Sequence, residues 1–250
     1  MVTSSLFKPL LLVATLGLAA CGAPEGSVTR DGILDPYESG NRKVHEFNRG
    51  LDRAVVRPAG RGFTTVVPDV VEDGIGNFAT NLGMPSVMVN GLLQGDLETA
   101  GLAFSRLFIN TIFGFGGLMD VATAFEIPEA RTDFGETLYV WGVAEGPYIE
   151  LPFIGPSTQR HTVGRVVDLF TNPLSYTLDS PEKYWGPAAN IGQRLSDRGR
   201  YSDTVDSILY ESSDSYAQLR LIYLQNRRFQ LGQEDPSQEI DPFALETEGF

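Results

Sequence analysis

The side chains able to carry chemistry fall into a few short strings, and most break at a decisive position. His45-Glu46-Phe47-Asn48-Arg49 begins like a zinc-protease helix, which needs histidines four apart on one face, but position 49 is Arg. No Gly-x-Ser-x-Gly elbow is present to expose a nucleophilic serine. Gly114-x-Gly116-Gly117 is followed by Leu-Met-Asp, without the Lys-Ser/Thr that a phosphate-cradling loop requires. Asp133, Glu136 and Glu150 offer carboxylates for acid–base work, but nothing in the sequence shows that they meet, and carboxylates without a recognisable partner usually cap helices or face water. The strings therefore support neither an enzyme nor a cofactor or metal site.

One reactive residue has a clear setting. Lys8 is the sole charge ahead of the single cysteine, Cys21, and Pro9–Leu18 is an apolar run of signal-peptide length, too short to span a bilayer. The run ends in Leu18-Ala19-Ala20-Cys21, which resembles the lipobox of bacterial lipoproteins. That resemblance implies cleavage before Cys21 and acylation of its thiol and new amine, and two or more chains anchor a protein stably. Gly22, where an inner-membrane retention signal would place Asp, points to the outer membrane, periplasmic face. With one cysteine, no intramolecular disulfide and no Cys-x-x-Cys metal site can form.

The chain has 250 residues, 42% hydrophobic and 20% charged, enough for a sizeable core. Its 19 basic against 32 acidic residues give a net charge of −13, the wrong sign for nucleic acid. Glu234, Asp235, Glu239, Asp241, Glu246 and Glu248 lie beyond Gly232 with no base among them. Residues 233–250 thus read as an acidic disordered tail, 1–20 as the lipoprotein signal peptide, 21–34 as an anchor linker and 35–232 as the folded domain.

Within that domain the apolar spacing predicts helices. The first runs from about Tyr37 to Val56 and stops at Pro58, with Val44, Phe47, Leu51 and Val55 on one face and Arg42, Glu46, Arg49, Arg53 and Arg57 on the other. That arginine stripe has three readings: a solvated face, contact with anionic head groups, or docking on acids of the same fold. A second helix starts at Pro68 with Asp69 and Glu72 as a capping box, and ends at Gly83 and Pro85. A third, capped by Asp96, covers Leu97 to Phe113 and is apolar around most of its circumference; only Thr99, Ala103, Arg106 and Asn110 share a sector free of large apolar side chains. Such a helix is central in a core or in contact with lipid, and Arg106 must be paired or face water in either setting. Leu138–Trp141 and Tyr148–Leu151 suggest a short β-hairpin. Helices resume near Ser157–Leu169 and after Pro181, and a long one spans Asp203 to about Leu231. The fold class is predominantly all-α.

Several strings together resemble a known family. They include Asp35-Pro36-x-Glu38, Asn41-Arg42, Phe47-Asn48, Asn77-Phe78-x-x-Asn81-Leu82 and Leu93-Gln94-Gly95. Arg106-Leu107-Phe108-Ile109-Asn110-Thr111, Gly114-x-Gly116-Gly117-Leu118-x-Asp120, Asp133-Phe134-Gly135-Glu136-Thr137-Leu138 and Gly155-Pro156-Ser157-Thr158-x-Arg160 continue the series. In order and spacing they resemble the MlaA/VacJ family of outer-membrane lipoproteins, over roughly residues 35–175. Glu136 stands where the family pattern favours Gln, and His161 where it favours Asp.

The resemblance implies a ring-like helical bundle embedded in one membrane leaflet around an amphipathic channel. It also implies association with trimeric porins, removal of phospholipid mislaid in the outer leaflet, and delivery to a soluble periplasmic carrier. On that footing Arg106, Asn110 and Thr99 are expected to line the channel, with Arg106 attracting the lipid phosphate or, alternatively, held in a buried structural pair. Gly114, Gly116 and Gly117 are expected to flex as a gate. Phe104, Leu107, Phe108, Ile112, Phe113 and Phe115 are expected to contact membrane. Two other classes stay open: a scaffold lipoprotein for porins, and a lipid hydrolase with nucleophile and base in hydrogen-bond reach.

Overall fold

A computed structural model describes residues 33–233. The signal segment, Cys21, the linker to residue 32 and the tail from Glu234 lie outside the described residues. The last two linker residues belong to the fold instead: Ile33 is buried against Tyr148, Tyr216 and Leu224, and Leu34 accepts a hydrogen bond from the Tyr148 amide.

Helix α1 (Glu38–Leu51) passes through a π-helical turn, Asp52–Val56, into α2 (Arg57–Val66). Pro58, expected to stop the helix, does not. It falls in the first turn of α2, where the wider turn before it absorbs the missing N–H. The stripe that α1 and α2 present settles on acids of the same fold. Arg42 grips Asp214 through both terminal nitrogens, Arg57 and Arg61 converge on Asp206, and Arg53 lies over the Tyr210 ring.

Helix α3 (Asp69–Gln94) runs 26 residues, straight through Gly83 and Pro85 where a stop was expected. Packing against the helices that follow outweighs the local proline penalty, and Asn172 donates to the Leu82 carbonyl beside it. The expected capping box is also absent: Pro68 is the cap, and Glu72 is buried, accepting from Ser196 and Arg200. Gly95, at φ +75°, turns the chain into α4 (Leu97–Phe113), whose bounds and Asp96 cap are as expected.

Short α5 (Val121–Ala124) and α6 (Phe134–Val140) lead to the one sheet among the described residues, β1 (Tyr148–Leu151) paired antiparallel with β2 (Gly155–Thr158). The hairpin thus differs from expectation. Leu138–Trp141 belongs to the end of α6 and the turn after it, because Asp133 caps a helix at Phe134 by accepting from the Glu136 amide. Helix α7 (Gln159–Thr171), capped by Thr158, precedes α8 (Leu174–Thr177), a 3-10 turn (Glu182–Tyr184) and α9 (Trp185–Arg200). The single helix expected from Asp203 to Leu231 is divided into α10 (Ser202–Asp206) with a π-turn (Ser207–Glu211), and α11 (Ser215–Gln230), because Asp214 caps a new start. No helix of the described residues is long and apolar enough to cross a membrane.

The burial pattern is inverted. Among the described residues, twenty polar or charged residues are buried against twelve hydrophobic ones, half of which are alanines. Large apolar side chains lie outside instead, Phe113 at 61% and Phe115 at 79% exposure among them. A protein folded for water does the opposite.

Candidate functional site

Helix α4 carries the inversion most plainly. Its buried residues are Ala100, Ala103, Arg106 and Asn110, while Phe104, Phe108, Ile112 and Phe113 are more than half exposed. The sector without large apolar groups faces inward, and the aromatic face is left free. Leu107 departs from its expected role, since it packs against the cluster of Met84, Ala103 and Ala130.

Arg106 is 3% exposed and engaged on both terminal nitrogens. One donates to the Ile127 carbonyl at 2.6 Å, the other to Asp120 at 2.7 Å. Asn110 donates to the other Asp120 oxygen and accepts from the Ala122 amide. Burial opposes charge on Asp120, but hydrogen bonds from Thr123 and Asn110, with Arg106 nearby, hold its carboxyl below the usual range. The expectation that Arg106 and Asn110 face a channel is therefore corrected to the buried pair: their polar atoms are consumed in fastening α4 to α5. Thr99 is corrected likewise, its hydroxyl and amide both bonded to Asp96 at the helix cap.

The glycine loop after α4 is clamped. A Cβ on Gly114 would lie 2.2 Å from the Met119 carbonyl, and one on Gly117, at φ +99°, would lie 2.4 Å from Asn81 Nδ2. Asn77 holds the Leu118 carbonyl, and Asn81 donates to Thr111. Two of the three expected gate glycines are thus required by close approach; Gly116 alone has open space around it. Phe115 is held outward at φ +52°, a conformation unfavourable for an aromatic residue.

The open interior lies elsewhere. A cavity of about 690 Å³ has one wall of Ala79, Gly83, Met84, Val87 and Ala130, and another of Asn190, Gln193, Asn226 and Gln230, so it is apolar on one side and carboxamide-lined on the other. Asp133, Glu136 and Arg227 also line it. A second cavity, about 500 Å³, shares Gly83 and Asn190 with the first and adds Leu82, Leu169, Leu174, Lys183 and Arg194. Asp168 and Glu182 line the same cavity, but among the described residues no ion pair joins a carboxylate to Lys183 or Arg194. Sequence reasoning missed both cavities, because their walls come from helices more than a hundred residues apart.

Beside the larger cavity, Arg227 binds Asp133 through two bonds of 2.8 and 2.7 Å. Burial works against the charge on Asp133, yet Arg227 keeps its carboxyl below the usual value. Glu136 has only the Thr132 hydroxyl as hydrogen-bond partner, and burial raises it. Burial, reinforced by Arg165 and Arg227, lowers His161 to about 4, so the ring is neutral. Arg165 donates to its Nε2, which leaves the proton on Nδ1, 2.6 Å from the Tyr223 hydroxyl. On the far side, His45 lies 2.9 Å from Ser215 Oγ and 3.6 Å from Glu150, but Ser215 lines none of the cavities described, so this chain ties α1 to α11.

Residues 33–230 match the family described as MlaA lipoprotein. The chain belongs to that family. Within it, the chain is 36% identical over 227 residues to the intermembrane phospholipid transport system lipoprotein MlaA of Escherichia coli (strain K12), covering 88% of this chain and 86% of the relative. The Haemophilus influenzae (strain ATCC 51907 / DSM 11121 / KW20 / Rd) protein of the same name is 32% identical over 226 residues, covering 88% of each. A solved chain from work on the structural basis for maintenance of bacterial outer membrane lipid asymmetry superposes with a TM-score of 0.68 at 33% identity, covering 79% of this chain and 98% of that one. The helical architecture with a single hairpin is thus the MlaA architecture.

Proposed function

We propose that this protein removes phospholipid from the outer leaflet of the outer membrane by admitting it to the paired cavities and releasing it toward the periplasm. The observation that carries this reading is the inverted burial: apolar side chains outside, polar groups inside, and no helix of the described residues able to span a bilayer. Such a body suits one leaflet, with its aromatic face in acyl chains and its amphipathic cavity wet. Burying the exposed half of each large belt residue is worth on the order of 1 kcal/mol.

The cavity chemistry fits a lipid in transit. Met84, Val87 and Phe229 accept acyl chain, the carboxamides accept water or ester oxygen, and Arg194 and Lys183 take the phosphodiester role that Arg106 cannot fill. Nothing in these walls requires bond breaking; the lipid leaves as it entered, and a cofactor has no part. Acylated Cys21 holds the body at the periplasmic face, the exposed belt offers a seat beside a trimeric porin, and a soluble periplasmic carrier receives the lipid.

The test is outer-leaflet phospholipid content in cells lacking this chain, with and without complementation. Accumulation on deletion, reversed by the wild-type chain, is expected. Absence of accumulation would favour the scaffold reading.

A further inference from the structure

Gly83 is unexplained by the fold. It sits in the middle of α3 with helical neighbours on both sides, where glycine weakens a helix relative to alanine. No close approach demands it, since a Cβ built there meets nothing within 4 Å. Gly101 of α4 is equally uncrowded, but it borders neither cavity. Gly83 borders both, and so does Asn190, which faces the same spaces from α9.

We infer that Gly83 and Asn190 form the throat joining the two cavities into one passage, and that the missing side chain at Gly83 sets the width through which lipid moves. This rests on the transport reading above and deepens it, by assigning the place where passage is controlled. The Asn190 amide donates to the Gly186 carbonyl of its own helix, so its side chain is held back against α9. Across from it, position 83 itself offers only backbone. A phospholipid moving between the carboxamide-lined chamber and the chamber of Lys183 and Arg194 crosses at this point, and because a Cβ at Gly83 meets no neighbour within 4 Å, a larger side chain there extends from open space into its path.

The experiment compares Gly83→Phe and Gly83→Ala with wild type and deletion, measuring outer-leaflet phospholipid and the amount and thermal stability of the membrane-bound protein. Gly83→Phe is expected to bring outer-leaflet phospholipid to the deletion level, with protein amount unchanged and the unfolding temperature equal to or above wild type. Gly83→Ala is expected to retain function. A folded Gly83→Phe protein with wild-type lipid asymmetry overturns the throat. Should Gly83→Phe lower protein levels, Asn190→Phe closes the passage from the other wall: normal protein with deletion-level phospholipid supports the throat, and normal lipid asymmetry overturns it. Failure of the transport reading looks different, because the deletion strain itself would then show no accumulation.

Discussion

His161 shows how one side chain's environment becomes a property of the protein. Its ring is neutral in the fold because burial, Arg165 and Arg227 press its titration down to about 4, below the ordinary value near 6.5. Protons therefore favour the unfolded chain, so stability falls as pH drops from about 6.5 toward 4. Asp133 runs in parallel at lower pH: its depressed carboxyl supplies stability above the ordinary carboxylate range, lost as pH falls through its folded value. Thermal unfolding of the detergent-solubilised protein between pH 6.5 and 4.5 separates the two. Wild type is expected to lose stability across that window, and His161→Gln, which keeps a polar side chain without the titration, to lose less. An equally steep loss in the variant would show that the His161 ring does not set it. Position 161 stood out in the sequence as a departure from the family pattern, but the burial that chiefly lowers its titration is not a local signal, and Arg227, which adds to it, and Tyr223, which bonds its Nδ1, lie more than sixty residues away.

Helix α4 was legible in its bounds and its cap, because Asp96 and the apolar run are local signals. The use of its faces was not. A helix apolar nearly all round says only that it avoids water, and the direction of Arg106 depends on Asp120, fourteen positions on and across the glycine loop. Helix α3 failed in the other direction: Gly83 and Pro85 are valid stop signals locally, and tertiary packing overrides them. The Arg106–Asp120 link makes a definite claim at this scale. Asp120→Ala would leave a buried guanidinium held only by a carbonyl and a hydroxyl, and breaking a fully buried pair costs ~3–5 kcal/mol. With the Asp120 side chain 26% exposed, a loss of about 2–3 kcal/mol is expected. For a chain of this length, that lowers the unfolding temperature by roughly 5–10 °C. An unchanged unfolding temperature would mean that α5 is not fastened to α4 through this pair.

The whole molecule places its apolar side chains where a water-soluble protein would place charge. Phe104, Phe108 and Phe113 stand outward, while buried Arg198 pairs with Asp52, buried Asp206 with Arg57, and buried Arg220 with Asp35, tying the start of the fold to its later helices. Bulk composition hid this, because an inverted protein and an ordinary one draw on the same residues; the lipobox-like string and the ordered family strings pointed only toward a membrane, and the inversion itself emerges from which side chains the fold buries. The organisation is tested most directly by single cysteines placed on the cavity wall (Thr80, Gln193, Asn226) and on the belt (Phe104, Phe108, Phe113) of the full chain in its membrane. Isolated outer membranes would be treated with a charged, membrane-impermeant thiol reagent. Cavity cysteines are expected to react and belt cysteines to be protected until detergent is added. Belt cysteines that react as fast as cavity cysteines in intact membranes would contradict the account.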